Sequence, residues 1–139
     1  MQVSKALDYA IRSLTHMGNN PDRRCGIREI SESRHVPDKY LAKIMGRLVK
    51  SGIVRSGRGP AGGYMLARDP AELNLRDVYE AIEGEIHIID CMNEDGPCAL
   101  YQDCTQIAVW DKIQIEMLKT LQRISLESLT DKNKKRKRT

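Results

Sequence analysis

Three short stretches with helical apolar spacing lie in the first 52 residues, a Gly- and Pro-rich pair of apolar runs follows, and a long apolar stripe covers 105–124. Together these predict a mainly α protein: a winged helix-turn-helix domain with a β-hairpin wing and a long C-terminal dimerisation helix. At 139 residues the chain accommodates one ordinary domain with such an attachment.

Residues 4–18 predict the first helix, because Leu7, Ala10, Ile11, Leu14 and Met17 recur on one face. Ser4 is its N-cap, and Gly18-Asn19-Asn20-Pro21 ends it. The stretch IREISESR predicts a second helix with Ile27 and Ile30 inward. HVPDK then turns into a third helix over 38–51. Pro37 is tolerated there because an N–H in the first turn has no intrahelical partner. Leu41, Ile44, Met45, Leu48 and Val49 form its inner face, Gly52 caps its end, and Lys39, Tyr40, Lys43, Arg47 and Lys50 occupy the other face.

IVRSGRGPAGGYMLA reads as a β-hairpin, with Arg55 and Arg58 flanking the glycines of its tip. Asn74 caps a helix reaching about residue 83, with Leu75, Val78 and Ile82 inward. Residues 105–124 form the longest helix, striped by Ile107, Trp110, Ile113, Met117, Leu121 and Ile124. Val109, Ile115 and Leu118 widen that stripe beyond what a lone surface helix needs, which predicts packing against a second copy and hence a homodimer.

Charge divides the chain in the same places. Residues 1–68 carry 13 Lys and Arg against 5 Asp and Glu, whereas 69–131 carry 4 against 14, and the closing KNKKRKRT adds six positive charges. Three regions are therefore expected: a DNA-binding region (1–68), a region of linker helix, cysteine loop and dimerisation helix (69–130), and a disordered basic tail (131–139). A basic first half suits a polyanion. Lys39, Lys43, Arg47 and Lys50 suit phosphates and base edges, and Tyr40 a phosphate or sugar. Arg55, Arg58, Gly59 and Pro60 make a slim wing suited to the narrow minor groove of A·T-rich DNA. Lys5 and Arg28 complete the candidate DNA-binding residues. The glycine-rich wing lacks the G-x-x-x-x-G-K-[ST] pattern of a nucleotide-binding loop.

The opening MQVSKALDYAIRSL has polar residues too early for a signal peptide, and no apolar run is long enough to span a membrane. The expected location is the cytoplasm, where thiols stay reduced. CMNEDGPCALYQDC, residues 91–104, holds three of the four cysteines. In that compartment such a cluster points to metal or redox chemistry over structural disulfides. Cys25 stands apart and reads as incidental.

The helix KALDYAIRSL, the recognition helix YLAKIMGRLVKSGIV, the wing RSGRGPAGGYMLARDP, LRDVYEAIEG and the three-cysteine loop together resemble the iron–sulfur-dependent winged-helix transcriptional regulators typified by IscR, NsrR and RirA. The resemblance covers about residues 1–130 and leaves out the basic tail. It implies that Cys91, Cys98 and Cys104 hold an iron–sulfur cluster, [4Fe-4S] or [2Fe-2S], at the base of the dimerisation helix. It also implies a homodimeric repressor that binds double-stranded DNA at a pseudo-palindromic operator. Relatives resembling IscR place a His ligand three residues after the last Cys, where this chain has Ile107. Relatives resembling NsrR take an Asp from the first helix of the other subunit, which corresponds to Asp8. His87, Asp90, Glu94 and Asp103 are substitutes.

Two other readings stand beside this one. Zinc held as Cys₃His with His87, or a thiol–disulfide switch, would make a nucleic-acid-binding protein without cluster sensing. An enzyme is not expected, since no nucleophile–base pattern occurs and His16, His35 and His87 lie in separate segments where surface or capping roles account for them.

Overall fold

The computed structural model of the chain describes residues 3–60, 62–89, 92, 93 and 96–131. Its helices are α1 (Lys5–Asn19), α2 (Ile27–Arg34), α3 (Asp38–Lys50), α4 (Leu75–Glu83) and α5 (Ile107–Arg123). Strands β1 (Val54–Gly57) and β2 (Gly63–Leu66) form an antiparallel hairpin that pairs Val54 with Leu66 and Gly57 with Gly63. A second small hairpin, β3 (Met92–Asn93) with β4 (Gly96–Pro97), and two 3₁₀ turns, Tyr101–Asp103 and Leu126–Leu129, complete the chain. The architecture is the mainly helical winged helix-turn-helix that the apolar spacing predicts.

Local chemistry fixes the element ends. Ser4 Oγ accepts the Leu7 N–H at 3.1 Å and caps α1. Asn74 and Asp77 form a reciprocal capping box at α4, worth about 1 kcal/mol of helix stability. The turn between α2 and α3 places His35 in the left-handed region at φ 55°, held by the buried Val36, whose N–H donates to the Ser31 carbonyl. At the end of α3, Gly52 has φ +77° while the N–H groups of Ile53 and Gly52 donate to Leu48 and Val49. That pair of bonds is a Schellman motif, and its left-handed residue is why glycine suits this position.

The core sits between α1, α3 and α4, where Leu14, Leu41, Met45, Leu48 and Val78 are fully enclosed. Val49 departs from its expected inward position: it is exposed at the edge of the α3 stripe. Leu75 is half-buried, and α5 begins at Ile107, two residues later than the spacing predicts. The segment after α5 also returns to the helix-turn-helix core, which the sequence reading did not foresee. Leu75 N–H donates to the Ile124 carbonyl and Leu126 N–H to the Leu73 carbonyl, so that Leu126 is completely buried. Gly18 lies so close to Thr130 that a Cβ there would stand 2.9 Å from its methyl. In α5 itself no residue is buried; Val109, Ile113 and Ile115 are 57%, 44% and 51% exposed.

Candidate nucleic-acid interface and cysteine loop

α3 buries Leu41, Ile44, Met45 and Leu48 on one side. At about 100° per residue, Lys39, Lys43, Gly46 and Lys50 fall on the opposite side, and all four are exposed. None of these lysines makes an ion pair with a described residue. The surface therefore presents three uncompensated charges along one ridge. Gly46 interrupts that ridge in mid-helix, where glycine costs about 1 kcal/mol relative to alanine.

Tyr40 and Arg47 lie on the flank of α3 rather than on its ridge. The Tyr40 ring packs 5.8 Å from that of Tyr9 on α1, and Lys39 Nζ sits 5.2 Å from the Tyr40 ring centroid. Arg47 Nη1 donates to the Ile82 carbonyl at 2.9 Å, near the C-terminal end of α4. Arg47 thus joins the recognition helix to the helix leading into the cysteine loop, an interaction that competes with the DNA contact read from its sequence position.

In the wing, Arg58, Gly59 and Pro60 form an exposed tip, and Gly59 has φ +83°. Arg55 lies on β1 opposite Met65, a step back from that tip. The wing is tied to the helix-turn-helix through Cys25 and Tyr64, whose backbones exchange hydrogen bonds at 2.7 and 2.8 Å. Gly63 is required at this join, since a Cβ there would meet the Cys25 carbonyl oxygen at 2.8 Å. The Arg24 guanidinium lies across Gly57 of β1 and adds a cation beside the wing. Sequence reasoning missed Arg24 because it belongs to no periodic element. Lys5 in the first turn of α1 is exposed, as is Arg28 on α2, whose nearest carboxylate is Glu32 at 3.9 Å.

Of the expected cluster ligands, Cys98 is exposed and Cys104 half-buried; both are free thiols in the segment between β4 and α5. Cys91, Asp90 and Glu94 lie outside the described residues. Asp8 is on α1, its side chain 44% exposed and paired with Arg12 through bonds of 2.7 and 3.2 Å. Arg12 also donates to the carbonyls of Arg34 and His35, so one guanidinium ties Asp8 to the turn before α3. His87 is exposed, 3.4 Å from Glu85, and Asp103 is exposed in its 3₁₀ turn. The free thiols of Cys98 and Cys104 are the ligand type that iron–sulfur clusters take, whereas no contact among the described residues brings them to Asp8, whose carboxylate is held by Arg12.

A second cluster was not anticipated. Cys25 and His16 are buried, and the Glu29 carboxylate faces both as well as Arg23, with 3.1 Å to His16 and 2.6 Å to Arg23. Burial, reinforced by Glu29, pushes the Cys25 thiol up to about 11. Burial also acts to raise Glu29, but hydrogen bonds from Arg23, His16 and Cys25 outweigh it and hold the carboxyl below its usual value. The donor atoms of His16, Cys25 and Glu29 lie within 4.8 Å of one another, close enough for a metal ion. The hydrogen bonds already satisfy them, however, and a cation would have to displace Arg23. These contacts correct two expectations. Cys25 is a core residue and not incidental, and His16 is a buried hydrogen-bonding residue and not a surface one.

The comparisons with known proteins agree with this geometry. A family model described as Rrf2, iron-dependent transcriptional regulator, matches residues 3–132. The chain is 32% identical to the HTH-type transcriptional regulator IscR of Photorhabdus laumondii over 132 residues, covering 94% of this chain and 80% of that one. It is 29% identical to the regulator NsrR of Oceanobacillus iheyensis over 131 residues, covering 93% and 89%. Among solved structures, CymR, the global cysteine regulator of B. subtilis, matches with a TM-score of 0.76 at 21% identity, covering 93% and 95% of the two chains. With its recognition helix, wing and basic ridge in place, the chain belongs to the Rrf2 family of helix-turn-helix transcriptional regulators.

Proposed function

We propose that this regulator is a homodimeric repressor in the cytoplasm whose operator affinity is set by an iron–sulfur cluster on Cys91, Cys98 and Cys104. The observation that carries the reading is the pair of free thiols Cys98 and Cys104 in the segment leading into α5, a helix that leaves Val109, Ile113 and Ile115 exposed. The family description and the names of the IscR and NsrR relatives support it. When bound, the cluster supplies iron chemistry sensitive to oxidants. The chain's own part is to present the thiolates and, through Asp8, a carboxylate oxygen from α1. Two copies joined through α5 place two α3 helices on a pseudo-palindromic operator, with half-sites about 34–36 Å apart.

The loop is mechanically connected to α3. Ile88 N–H donates to Gln114 of α5, α4 packs on α5, and Arg47 links α3 to the end of α4. A coupling of about 1–3 kcal/mol along this route changes operator affinity some 5- to 150-fold. Anaerobically purified protein should contain iron and acid-labile sulfide, with visible absorption that Cys98→Ser abolishes and Asp8→Ala alters. Zinc at one per chain, with DNA affinity indifferent to oxidants, would instead establish a zinc-stabilised DNA-binding protein.

A further inference from the structure

The loop before α2 extends the wing sideways. Cys25 bridges Tyr64 antiparallel, so this loop lies along the free edge of β2, and β2 runs between it and β1. Side chains alternate between the two sides of such an arrangement. Cys25 and Val54 are buried on the inner side, which leaves Arg24 on the outer side with Arg55 and Gly57 of β1 and their partners Met65 and Gly63. Arg24 is exposed, and its guanidinium reaches Gly57: a Cβ there would stand 2.5 Å from the guanidinium carbon. The Gly57–Gly63 pair is thus a bed free of side chains on which the guanidinium lies flat. Arg55 stands two residues further along β1, a step of roughly 7 Å, with its Nη2 3.8 Å from the Met65 sulfur. Neither arginine forms an ion pair among the described residues. Arg24 and Met65 also line an open cleft that ends at Pro60 and Gly62 of the wing tip. Of the other charged residues lining it, Asp22 is exposed and Arg23 is already held by Glu29 at 2.6 Å, which fixes the loop against α2.

We propose that the outer side of the wing is a seat for the DNA sugar-phosphate backbone, in which Arg24, laid across the Gly57–Gly63 pair, and Arg55 each bind a phosphate of one strand. Two unpaired guanidiniums held side by side on a rigid hairpin suit an anion that repeats along a chain, and a planar guanidinium takes two oxygens of one phosphate at once. The inference rests on the DNA-binding reading and adds to it a contact from outside the recognition helix and the wing tip. It also gives the buried Cys25, His16 and Glu29 cluster a task, since their contacts anchor the loop that carries Arg24.

The test uses the full-length protein and a duplex selected from a random pool with wild type. With one phosphate at Arg24, Arg24→Ala should lower the slope of log affinity against log salt by about 0.9 per subunit. A fourfold rise in salt should then cost the variant about 3.5-fold less affinity per subunit than it costs wild type. Gly57→Ala displaces only the end of the Arg24 side chain, so it should fold with an unchanged melting temperature and still lose most of the Arg24 contribution. Added to Arg24→Ala, it should change nothing further. Neutralising the backbone one position at a time with methylphosphonates should reveal a phosphate in each half-site that matters to wild type and not to Arg24→Ala. A slope in Arg24→Ala equal to that of wild type, or no backbone position that tells the two proteins apart, overturns the proposal. So does Gly57→Ala weakening binding as much without Arg24 as with it. Absence of any salt dependence in wild type is a separate result and overturns the DNA-binding reading beneath it.

Discussion

Glu29 receives donors from Arg23, His16 and Cys25, and these bonds tie the loop before α2 to α1 and, through the Cys25 backbone, to the wing. The depressed Glu29 carboxyl contributes stability that is complete above the ordinary Glu value of about 4.3 and is lost as pH falls through its lower folded value. Cys25 carries the opposite sign. Its contribution is complete below the unfolded thiol value of about 8.5 and is lost as pH rises toward 11. Unfolding midpoints followed from pH 8 to 11 should therefore drop less steeply in Cys25→Ser than in wild type. A protonated, enclosed thiol is also a poor nucleophile. Under native, metal-free conditions iodoacetamide should label Cys98 and Cys104 and leave Cys25 intact until denaturant is added, which peptide mass spectrometry reads directly. Early labelling of Cys25 would show that the wing join opens readily.

At the level of elements, α5 makes the clearest demand. Val109 and Ile113 share a flank at i, i+4 spacing and are largely exposed, a costly arrangement for a helix meant to stand in water. Replacing Ile113 with Glu should shift the proposed dimer to monomer in sedimentation equilibrium while circular dichroism retains its helical signal. The bounds of α2 agree with the sequence reading, and those of α1 and α3 are within one residue of it, because cap, stripe and stop signals lie within a few residues of each other. The return of residues 124–129 was not legible, since Ile124, Leu126 and Leu129 are too few to set a period and the pairing of Leu126 with Leu73 is non-local. The Arg47 link to α4 was not legible for the same reason: its partner, Ile82, is 35 residues away. Of the site, the lysine ridge could be read from spacing. The buried Cys25 cluster could not, because no periodicity brings residues 16, 25 and 29 together.

Across the whole molecule the charge division becomes a division of labour. The excess of positive charge in residues 1–68 is displayed on α3 and the wing, while the acidic stretch that follows holds α4, the cysteine loop and α5. The cations on α3 and the wing favour an encounter with DNA through that side of the molecule before any base is read. Salt then separates the roles of the cations. Each phosphate contact adds about 0.9 to the slope of log affinity against log salt. Lys43→Ala removes a ridge charge that forms no ion pair among the described residues, so the slope should fall by about 0.9 per subunit if the lysine meets one phosphate, with binding to random and operator duplex weakened alike. Arg47→Ala removes the bond to the Ile82 carbonyl instead. It should cost about 1 kcal/mol of folding stability and leave the slope close to wild type. A slope that drops equally in both variants would place Arg47 on the DNA and reduce its link to α4 to a resting position. A slope that moves only for Lys43 would leave Arg47 as the side chain through which α4 and the cysteine loop act on the recognition helix.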